Sequence, residues 1–347
     1  MKPRRASRKH VSYKDIAEEA KVSQMTVSLA FRNHPSIPPA TRKRIRNIAD
    51  RLGYVPDPKM AQFLQYMRGR RQSRDFPVLA YLHVGDGRLP PRNSYNGRLL
   101  EGARERAAAL GYRVEPFWLN PKGLNETTFA RVLRTRAIDG LLIPPLPVEM
   151  GCLELPWDSF SVVTASYTSD YLGFNQICNN RHQITQLALE EARKRGYKRI
   201  GLVVNKELDI RSSHNTLSYF YWFQSQQPEC ERVPVLYETE IAKRQFFKWL
   251  NDNRVDVVVS GLNLLYFWLK EAKVAIPADL GFISLSTYEA NRDGLSGVDE
   301  CAEQVGSASV DLLTSQMNRN ETGVPEVRKL ILLEGTWVEG ATVRRRS

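Results

Sequence analysis

The sequence predicts a small all-α N-terminal domain, a hinge helix and then a two-lobed α/β domain built on parallel sheets. Three observations predict this architecture. Helical periodicity and helix-breaking residues divide the first 53 residues into three short helices, and from residue 76 onward short apolar strands alternate with amphipathic helices. The run Leu110-Gly-Tyr-Arg-Val114 is echoed by Arg195-Gly-Tyr-Lys-Arg-Ile200, each at a helix end followed by a strand. The alternation indicates parallel sheets covered by helices, and the echo favours two similar lobes.

The excess positive charge is confined to the first fifth of the chain. The 347 residues carry a net charge of +12, yet 18 of the 50 Lys and Arg residues and only 5 of the 38 Asp and Glu residues lie between Met1 and Arg74. The rest of the chain is therefore close to neutral. A helical segment this basic on a near-neutral body favours a polyanionic partner, although charge alone does not separate DNA from RNA or an anionic lipid surface.

Composition excludes several classes of protein. The four cysteines lie far apart, and no Cys or His spacing is typical of a zinc site, so we expect neither a disulfide framework nor a metal site. No stretch approaches the roughly 18 apolar residues of a membrane span, and the basic N-terminus leads into no apolar signal segment. We therefore expect a cytoplasmic, multi-domain protein that needs no cofactor.

The first two helices are joined by a tight turn. Val11 to Lys21 has helical spacing with Ile16, Ala17 and Ala20 turned inward, and Ser23 is a natural N-cap for the next helix. That second helix has a packing face and an exposed face. Val27, Ala30 and Phe31 form the first, and the second consists of Gln24, Met25, Ser28, Leu29 and Arg32.

A third helix begins at about Pro39 and stops at Gly53. Its apolar positions are Ile45, Ile48, Ala49 and Leu52, and its outer face is basic, with Arg42, Lys43, Arg44 and Arg46. Three such helices form a helix-turn-helix unit, whose second helix lies in the major groove of DNA. Many three-helix bundles bind no DNA, so the pattern alone favours DNA binding by a small margin.

The order of residues adds a resemblance. Val11 to Ser28, then Thr41-Arg42, then Leu52-Gly-Tyr-Val-Pro56, resembles the signature of the LacI/GalR (lac-repressor) family of transcriptional regulators. The resemblance implies a DNA-binding regulator, usually a repressor, that acts as a homodimer on a pseudo-palindromic operator. It implies Gln24 and Met25 as the main specificity residues, Ser23, Thr26 and Ser28 near phosphates or base edges, and backbone contacts from Tyr13, Thr41 and Tyr54. Arg42, on the basic outer face of the third helix, is a further candidate phosphate contact.

Three positions depart from the family pattern. Leu29 replaces the usual Arg and Arg32 the usual Asn, so either Leu29 packs on a thymine methyl group or Arg32 takes over the base contact. Lys21 replaces the usual Gly of the turn, which costs some backbone strain. We therefore expect a half-site that differs from those of the family's usual members.

A hinge helix is predicted between Pro56 and about Met67, with an apolar stripe that includes Met60, Phe63 and Leu64. A helix this short is marginal alone, so it needs a partner; docking on a neighbouring element is the ordinary interpretation of such a stripe. The family's hinge helices pair in the minor groove and insert a Leu between base steps. By the resemblance Phe63 holds that wedge position, with Leu64 beside it.

The large domain is predicted from alternating runs. In order, the strands and helices are Val78 to His83, Asn96 to Leu110, Val114 to Leu119, Thr127 to Thr135, Gly140 to Ile143, Gln183 to Arg195, Arg199 to Val204, Asn215 to Gln226, Val233 to Tyr237, Lys243 to Asn251 and Val255 to Ser260. On parallel sheets ligands bind beyond the carboxyl ends of the strands, so two facing lobes predict a pocket between them.

This region resembles the periplasmic-binding-protein-like sensor domain of the same family, through Gly196-Tyr-Lys-Arg-Ile-Gly201, Ile276-Pro-Ala-Asp-Leu-Gly281 and Gly335-Thr-Trp-Val-Glu-Gly340. The resemblance implies a small-molecule effector, by family expectation a sugar, and Arg211 as a ligand-facing residue. The family's effector-binding Asp falls at about Ser286, and Asn263 stands near its Asn-Asp pair. Loop residues near the predicted cleft complete the candidates: Asn93, Tyr95 and Tyr288.

The expected division is 1–57 for the DNA-binding domain, 58–75 for the hinge helix and linker, and 76–347 for the effector-binding and dimerisation domain. Its lobes are roughly 76–178 and 179–297, with 298–347 crossing between them. An alternative hypothesis is a sugar-binding module or enzyme that its basic N-terminus tethers to DNA. No catalytic motif supports an enzyme, because the Walker loop, Gly-x-Ser-x-Gly and His-Glu-x-x-His patterns are missing from the sequence.

Overall fold

The computed structural model describes residues 11–31, 34, 36–54, 76–84, 88–119, 126–146, 155–167, 173–287 and 294–345. The N-terminal domain has three helices: α1 (Tyr13–Ala20), α2 (Gln24–Phe31) and α3 (Pro39–Leu52). They enclose a core in which Ile16, Val27 and Ile45 are fully buried. The three predicted helices and their inward-facing residues are confirmed, because each helix presents one apolar stripe to the other two.

The large domain begins with β1 (Val78–Val84), α4 (Tyr95–Ala109), β2 (Arg113–Leu119), α5 (Glu126–Thr135), β3 (Gly140–Ile143), β4 (Ser161–Thr164) and β5 (Asn175–Asn179). It continues with α6 (Arg181–Lys194), β6 (Ile200–Asn205), α7 (Lys206–Arg211), α8 (Asn215–Ser225), β7 (Leu236–Glu238), α9 (Lys243–Asn253), β8 (Val257–Ser260), α10 (Leu264–Glu271) and β9 (Gly281–Ser284). The last elements are β10 (Gly297–Asp299), α11 (Ala302–Arg319), β11 (Leu330–Leu333) and β12 (Thr336–Val338). Every strand and helix predicted here is present, with ends that differ by up to three residues.

Two six-stranded sheets form the two lobes. The first has the order β11-β5-β4-β3-β1-β2 and is parallel throughout, and the second has the order β12-β10-β9-β8-β6-β7 with β12 antiparallel to β10. Helices cover both faces of each sheet. Along β1, Leu79 and Tyr81 join the cluster beneath α4 and α11, whereas Ala80 and Leu82 join the cluster on the opposite face. The predicted parallel α/β architecture is confirmed.

The chain crosses between the lobes at residues 179–181, 299–302 and 333–336. The last third of the chain therefore belongs to both lobes: α11 packs on the first sheet and β12 on the second. Helix α11 lies close against α4, since a Cβ atom added at Gly306 would stand 2.1 Å from the carbonyl oxygen of Leu99. Arg98 of α4 also pairs with Glu303 and, at 3.3 Å, with Asp299. These contacts fix the crossing segment to the first lobe.

Both glycines of the internal echo end a helix in the left-handed region, Gly111 with φ 77° and Gly196 with φ 77°. The following tyrosines, Tyr112 and Tyr197, are buried beneath the two sheets' helices. Equivalent helix-to-strand turns thus occur in both lobes, as the repeated run predicts. None of the described helices is long and apolar enough to cross a membrane.

Candidate nucleic-acid interface and inter-lobe cavity

The turn between α1 and α2 is shaped by caps that the sequence encodes. Helix α1 ends at Lys21, which adopts the left-handed conformation with φ 50° and ψ 47°. This is the turn position where a glycine avoids the steric cost, so the predicted backbone strain at Lys21 is confirmed. Helix α2 then begins under Ser23, whose Oγ accepts a hydrogen bond from the backbone N–H of Thr26 at 3.0 Å. The predicted N-cap is confirmed.

Helix α2 presents its N-terminal side chains to solvent. Met25 is 65% exposed, Gln24 is also exposed, and Val27 and Ala30 on the opposite side are buried. The first side chains of α2 are therefore accessible to a partner. The polar atoms nearby are held in place, since the hydroxyl groups of Ser23 and Thr26 lie 2.9 Å apart.

The residues of the predicted exposed face differ in exposure. Leu29 is partly exposed and also packs against the core of the three-helix domain, so it is less exposed than Gln24 and Met25 on the same predicted face. The helical wheel puts it opposite Val27, but the neighbouring helices reach around α2 far enough to cover part of its side chain. Ser28 is also only partly exposed. Gln24 and Met25 are therefore the most exposed members of the predicted face within the described part of α2.

Three aromatic side chains pack together in the N-terminal domain. Tyr13, Phe31 and Tyr54 form a triangle of rings with centroids 5.3 to 5.5 Å apart. The triangle joins the ends of all three helices. Each ring contributes apolar burial and a favourable aromatic contact, while Tyr13 and Tyr54 stay partly exposed. Both tyrosines can thus pack in the domain and still meet a partner at its surface.

The residues of the basic face of α3 differ in exposure and in their contacts. Lys43 and Arg46 are exposed, Thr41 and Arg42 are partly exposed, and Arg44 donates a hydrogen bond to the carbonyl oxygen of Ala20 at 3.2 Å. That bond ties α3 to the end of α1, so Arg44 stabilises the turn. The predicted contact residues Arg32, Met60, Phe63 and Leu64 lie outside the described residues, and their roles stay predictions.

A cavity of about 310 Å³ lies between the two lobes. It is lined from the first lobe by Tyr95, Asn96, Pro145, Ser166, Tyr167 and Asn179, from the crossing segments by Arg181 and Glu300, and from the second lobe by Val203, Val204, Asn205, Leu208, Asp209, Arg211, Ser212, Thr216, Gly261, Leu262, Leu285 and Ser286. Many of these residues lie at or just beyond the carboxyl ends of strands in the two sheets. The predicted inter-lobe pocket is therefore present at the place where parallel sheets bind ligands.

The structure brings three of the predicted effector residues together in this cavity, namely Tyr95, Arg211 and Ser286. Asn93 is exposed and is not among the lining residues. Asn263 also stands behind the lining: its amide donates to the Ser286 carbonyl at 2.9 Å and its side-chain oxygen accepts from the Ser284 hydroxyl at 2.7 Å. It positions the loop of Ser286. Tyr288 lies outside the described residues.

Arg211 connects the lobes. It ends the short helix α7, and its Nη2 donates to the carbonyl oxygen of Leu146 in the first lobe at 2.5 Å. The bond spans the cavity because α7 follows β6 of the second sheet, whereas Leu146 follows β3 of the first.

Two acidic residues of the cavity are held by donors of this chain. Asp209 is buried and accepts hydrogen bonds from the Tyr237 hydroxyl at 3.3 Å and from the Leu217 N–H at 3.4 Å, and it pairs with His214 Nδ1 at 2.8 Å. The break between α7 and α8 makes this network possible, since Ser213 and His214 both adopt the left-handed conformation. The network fixes the end of α7, which carries Arg211.

Glu300 is the second buried acid. Its Oε1 accepts from the Asn179 side chain at 2.7 Å and pairs with Arg181 Nη2 at 2.8 Å. Glu300 and Asn179 stand on different crossing segments, so this cluster joins two of the three connections between the lobes. Sequence analysis missed it because its members are far apart in the chain. No signal in the sequence indicated the cluster, because the strands that end at Asn179 and just before Glu300 were not predicted.

Two tyrosines face the same cavity as neutral hydroxyl groups. Burial raises the pKa of Tyr95 well above its usual range, and the nearby Glu300 raises it further. Burial, with a smaller effect from Cys178, raises the pKa of Tyr167 to about 12, and its hydroxyl donates to the Asn179 carbonyl at 3.0 Å. The cavity is thus lined by two neutral tyrosines together with Arg181 and Arg211. The described residues contain no group of three or more His, Cys, Asp and Glu side chains that could hold a metal ion.

The chain is similar to known bacterial regulatory proteins. Residues 12–57 match the family model described as bacterial regulatory proteins, lacI family. Over almost its whole length the chain is similar to an uncharacterised helix-turn-helix transcriptional regulator of Bacillus subtilis, YkvZ, with 23% identity over 340 residues that cover 95% of this chain and 99% of that protein. The matched segment contains the capped helix α2 and the basic helix α3.

Solved structures extend the likeness to the two lobes. The chain is similar to the transcriptional regulator CelR in complex with cellobiose, with a TM-score of 0.57, 15% identity and coverage of 96% of this chain and 100% of that chain. It is also similar to a lac repressor dimer bound to operator and the anti-inducer ONPF, with a TM-score of 0.54, 19% identity and coverage of 97% and 100%. At these identities the likeness shows the fold.

Proposed function

We propose that this chain, which belongs to the LacI family of bacterial regulatory proteins, represses transcription from a specific DNA site and changes its DNA affinity when a small molecule fills the cavity between its lobes. The observation that carries the DNA part is the exposed start of α2. Gln24 and Met25 project from a helix whose cap and packing face are fixed, on a domain (residues 1–57) with 13 Lys and Arg residues against 5 Asp and Glu residues. A helix placed this way presents its first side chains to base edges in the major groove.

Direct base contacts are assigned to Gln24 and Met25. A glutamine amide can bond an adenine bidentately, and a methionine offers an apolar surface to a thymine methyl group. Ser23, Thr26, Ser28, Tyr13, Thr41, Arg42 and Tyr54 are proposed to contact phosphates or adjoining base edges, and Lys43 and Arg46 add positive charge beside them. We propose a smaller contact with DNA for Leu29 than for Gln24 and Met25, because its side chain also packs against the core of the domain.

The effector is proposed to be a carbohydrate. CelR, which shares the fold of this chain, binds cellobiose. The cavity has the size and position of a small-molecule site, and its lining mixes apolar surface with hydroxyl, amide and guanidinium groups. We propose Tyr95, Arg211 and Ser286 as contact residues, with Arg181 and Asn179 beside them. Binding there alters the Arg211–Leu146 contact and hence the angle between the lobes.

The protein is proposed to work as a homodimer, because two copies match the two halves of a pseudo-palindromic site. Helix α10 supplies a candidate contact face, where Leu264 is 56% exposed and Phe267 is 45% exposed. The lac repressor, which shares this fold, forms a dimer on its operator. We propose residues 1–57 as the DNA-binding domain, 58–75 as the hinge and 76–347 as the effector-binding and dimerisation domain.

We propose that the protein is not an enzyme. We also propose that it acts in the cytoplasm, where it binds DNA. The alternative of an enzyme or sugar-binding module with a tethering N-terminus predicts that a fragment from Phe76 to Ser347 keeps every activity and that Gln24 and Met25 can be changed without effect. Selection of bound duplexes from random DNA, repeated with a panel of sugars, tests both. We expect one pseudo-palindromic site and a sugar that alters its recovery; no enrichment at moderate salt would reject the regulator.

A further inference from the structure

We propose that the open edge of the first sheet is a second self-association surface, on which strand β11 pairs antiparallel with the β11 strand of another copy of this chain. The inference goes beyond the proposed homodimer, whose candidate contact face is on α10 in the second lobe. Two different surfaces for the same partner join dimers into a tetramer, which carries two pairs of DNA-binding domains.

Strand β11 presents an apolar edge to solvent. Leu330, Ile331 and Leu332 are 46%, 40% and 41% exposed, and no described strand lies beyond them. Just before the strand, Val324 and Val327 are 55% and 79% exposed. A run of exposed apolar side chains along an open strand edge favours pairing with a further strand.

The other edge strands of the described sheets are protected in ways that natural sheets use. Strand β2 contains Pro116, which has no N–H to donate, and Glu115, which pairs with Arg113 at 3.0 Å and with Arg136 at 2.6 Å. Strands β7 and β12 are only three residues long. Among the edges of these two sheets, only β11 is formed entirely of apolar residues. Its edge is therefore the one that needs a cover.

The hydrogen bonds with β5 show which backbone groups of β11 face outward. The carbonyl oxygens of Lys329 and Leu333 accept from backbone N–H groups in and just after β5, at 2.9 and 2.7 Å. Because the direction of the backbone groups alternates along a strand, those of Leu330 and Leu332 point away from β5. The open edge thus offers N–H and carbonyl groups to a partner strand as well as apolar side chains.

The residues around β11 favour a second copy as that partner. In an antiparallel pair, outward-facing residues of one strand stand opposite outward-facing residues of the other. A two-fold axis at Ile331 places Leu330 opposite Leu332 and, two residues further along, Arg328 opposite Glu334. An axis at Leu332 instead places Leu330 opposite the charged Glu334. The first register matches apolar side chains and opposite charges at once, so the edge complements itself.

The charges at the two ends of β11 have opposite signs. Arg328 and Lys329 precede the strand and Glu334 follows it, and all three residues are exposed. Arg328 also interacts within its own chain, so a carboxylate from a second copy is a further contact for it. Opposite charges at opposite ends of one strand are what an antiparallel pair of identical strands requires.

The test measures the mass of the full-length protein by analytical ultracentrifugation over about a hundredfold range of concentration. The possible species are multiples of 39.7 kDa. We expect the wild type to form tetramers and Leu332→Lys to form dimers, because a lysine on an edge strand blocks strand pairing. The dimer–tetramer dissociation constant should rise by at least about tenfold. Val132→Lys, at an exposed valine on α5, is the matched control and should assemble like the wild type.

Charge reversal tests the register. Arg328→Glu and Glu334→Arg each place like charges opposite one another in the proposed pair, so each should weaken tetramer formation. The double variant Arg328→Glu/Glu334→Arg places opposite charges together again and should regain most of the tetramer. Damage to the fold of the first lobe would not be repaired by the second substitution, and melting temperatures check that every variant folds.

Two results would overturn the inference: the same mass for the wild type and Leu332→Lys at every concentration, or a double variant that assembles no better than the single ones. If the wild type and Leu332→Lys are both dimers that bind the selected DNA site, the inference fails and the proposed function stands. A dimeric wild type with a monomeric Leu332→Lys supports pairing at β11 and rejects α10 as the contact face. Monomers throughout would reject both surfaces.

Discussion

Histidine 83 should make the first lobe less stable in mild acid. His83 ends the buried part of β1, where its ring stacks on Trp118 at 5.7 Å and meets Tyr81 at 4.8 Å. Burial and, to a smaller extent, the positive charge of Arg104 lower the pKa of His83 from 6.5 to about 4. The folded state therefore keeps the imidazole neutral at pH values where the unfolded chain protonates it.

The sign and the window follow from that difference. Because the unfolded state binds more protons, the stability contributed by neutral His83 is complete above pH 6.5 and is lost as the pH falls toward about 4. For a fully desolvated group the loss at pH 5 would be about 2 kcal/mol. The ring keeps part of its exposure, so solvent screening reduces the expected loss to about 1 kcal/mol.

The assay compares urea unfolding of the full chain at pH 7.5 and pH 5, followed by tryptophan fluorescence. His83→Phe keeps a ring against Trp118 and Tyr81 but cannot titrate, so the wild type should lose about 1 kcal/mol more than this variant between the two pH values. His182→Phe, at an exposed histidine, is the control and should follow the wild type. An identical pH dependence for the wild type and His83→Phe would refute the reasoning.

Three further predictions address the DNA-binding domain and the crossing helix. Ser23→Ala removes the cap of α2 and should lower the stability of the N-terminal domain by about 1 kcal/mol in thermal melts. Ser23→Thr keeps a hydroxyl group at the cap and should retain most of the stability. Equal losses in both variants would contradict a capping role. Gly306→Ala should lower the melting temperature by the equivalent of about 1 to 3 kcal/mol, because the new methyl group meets the Leu99 carbonyl oxygen 2.1 Å away; an unchanged melt would mean that the two helices can separate freely. Gln24→Ala should change the preferred base in binding-site selection. Lys43→Gln should weaken binding to all DNA sequences alike and reduce the slope of log affinity against log salt by about one. If both variants lose affinity uniformly for all sequences, the proposed contact face is wrong.

The helices and strands of the large domain could be predicted where the apolar period is clear. The strands β4 and β5 were not predicted, although β3 and β8, which are also buried at every position, were. Strand β5 also contains polar residues that lower its apolar content: Asn175 accepts a hydrogen bond from the Lys329 N–H at 2.8 Å. Such a residue fits a buried strand only through a partner 154 positions away, which no local pattern reveals.

In the candidate sites, too, features set by neighbouring residues could be predicted from the sequence, whereas features set by distant contacts could not. The start of α2 could be predicted because a cap and a helical wheel are local properties, and Ser23 and Met25 lie where they imply. The partial burial of Leu29 depends on how far the neighbouring helices reach, which is a property of the packed domain. In the cavity, the pairing of Glu300 with Arg181 and Asn179 arises only when the chain crosses between the lobes, so sequence reasoning found Arg211 and missed this cluster.

The central claim is that the exposed start of α2 recognises a base sequence under the control of the inter-lobe cavity. It is tested most directly by the affinity of the full chain for its selected duplex and for a scrambled duplex at one salt concentration, measured by fluorescence anisotropy. We predict a ratio of about a thousandfold or more, lost when Gln24 and Met25 are both changed to Ala and altered by the bound effector. A ratio near one in the wild type, or a ratio that survives the double substitution, would contradict the account.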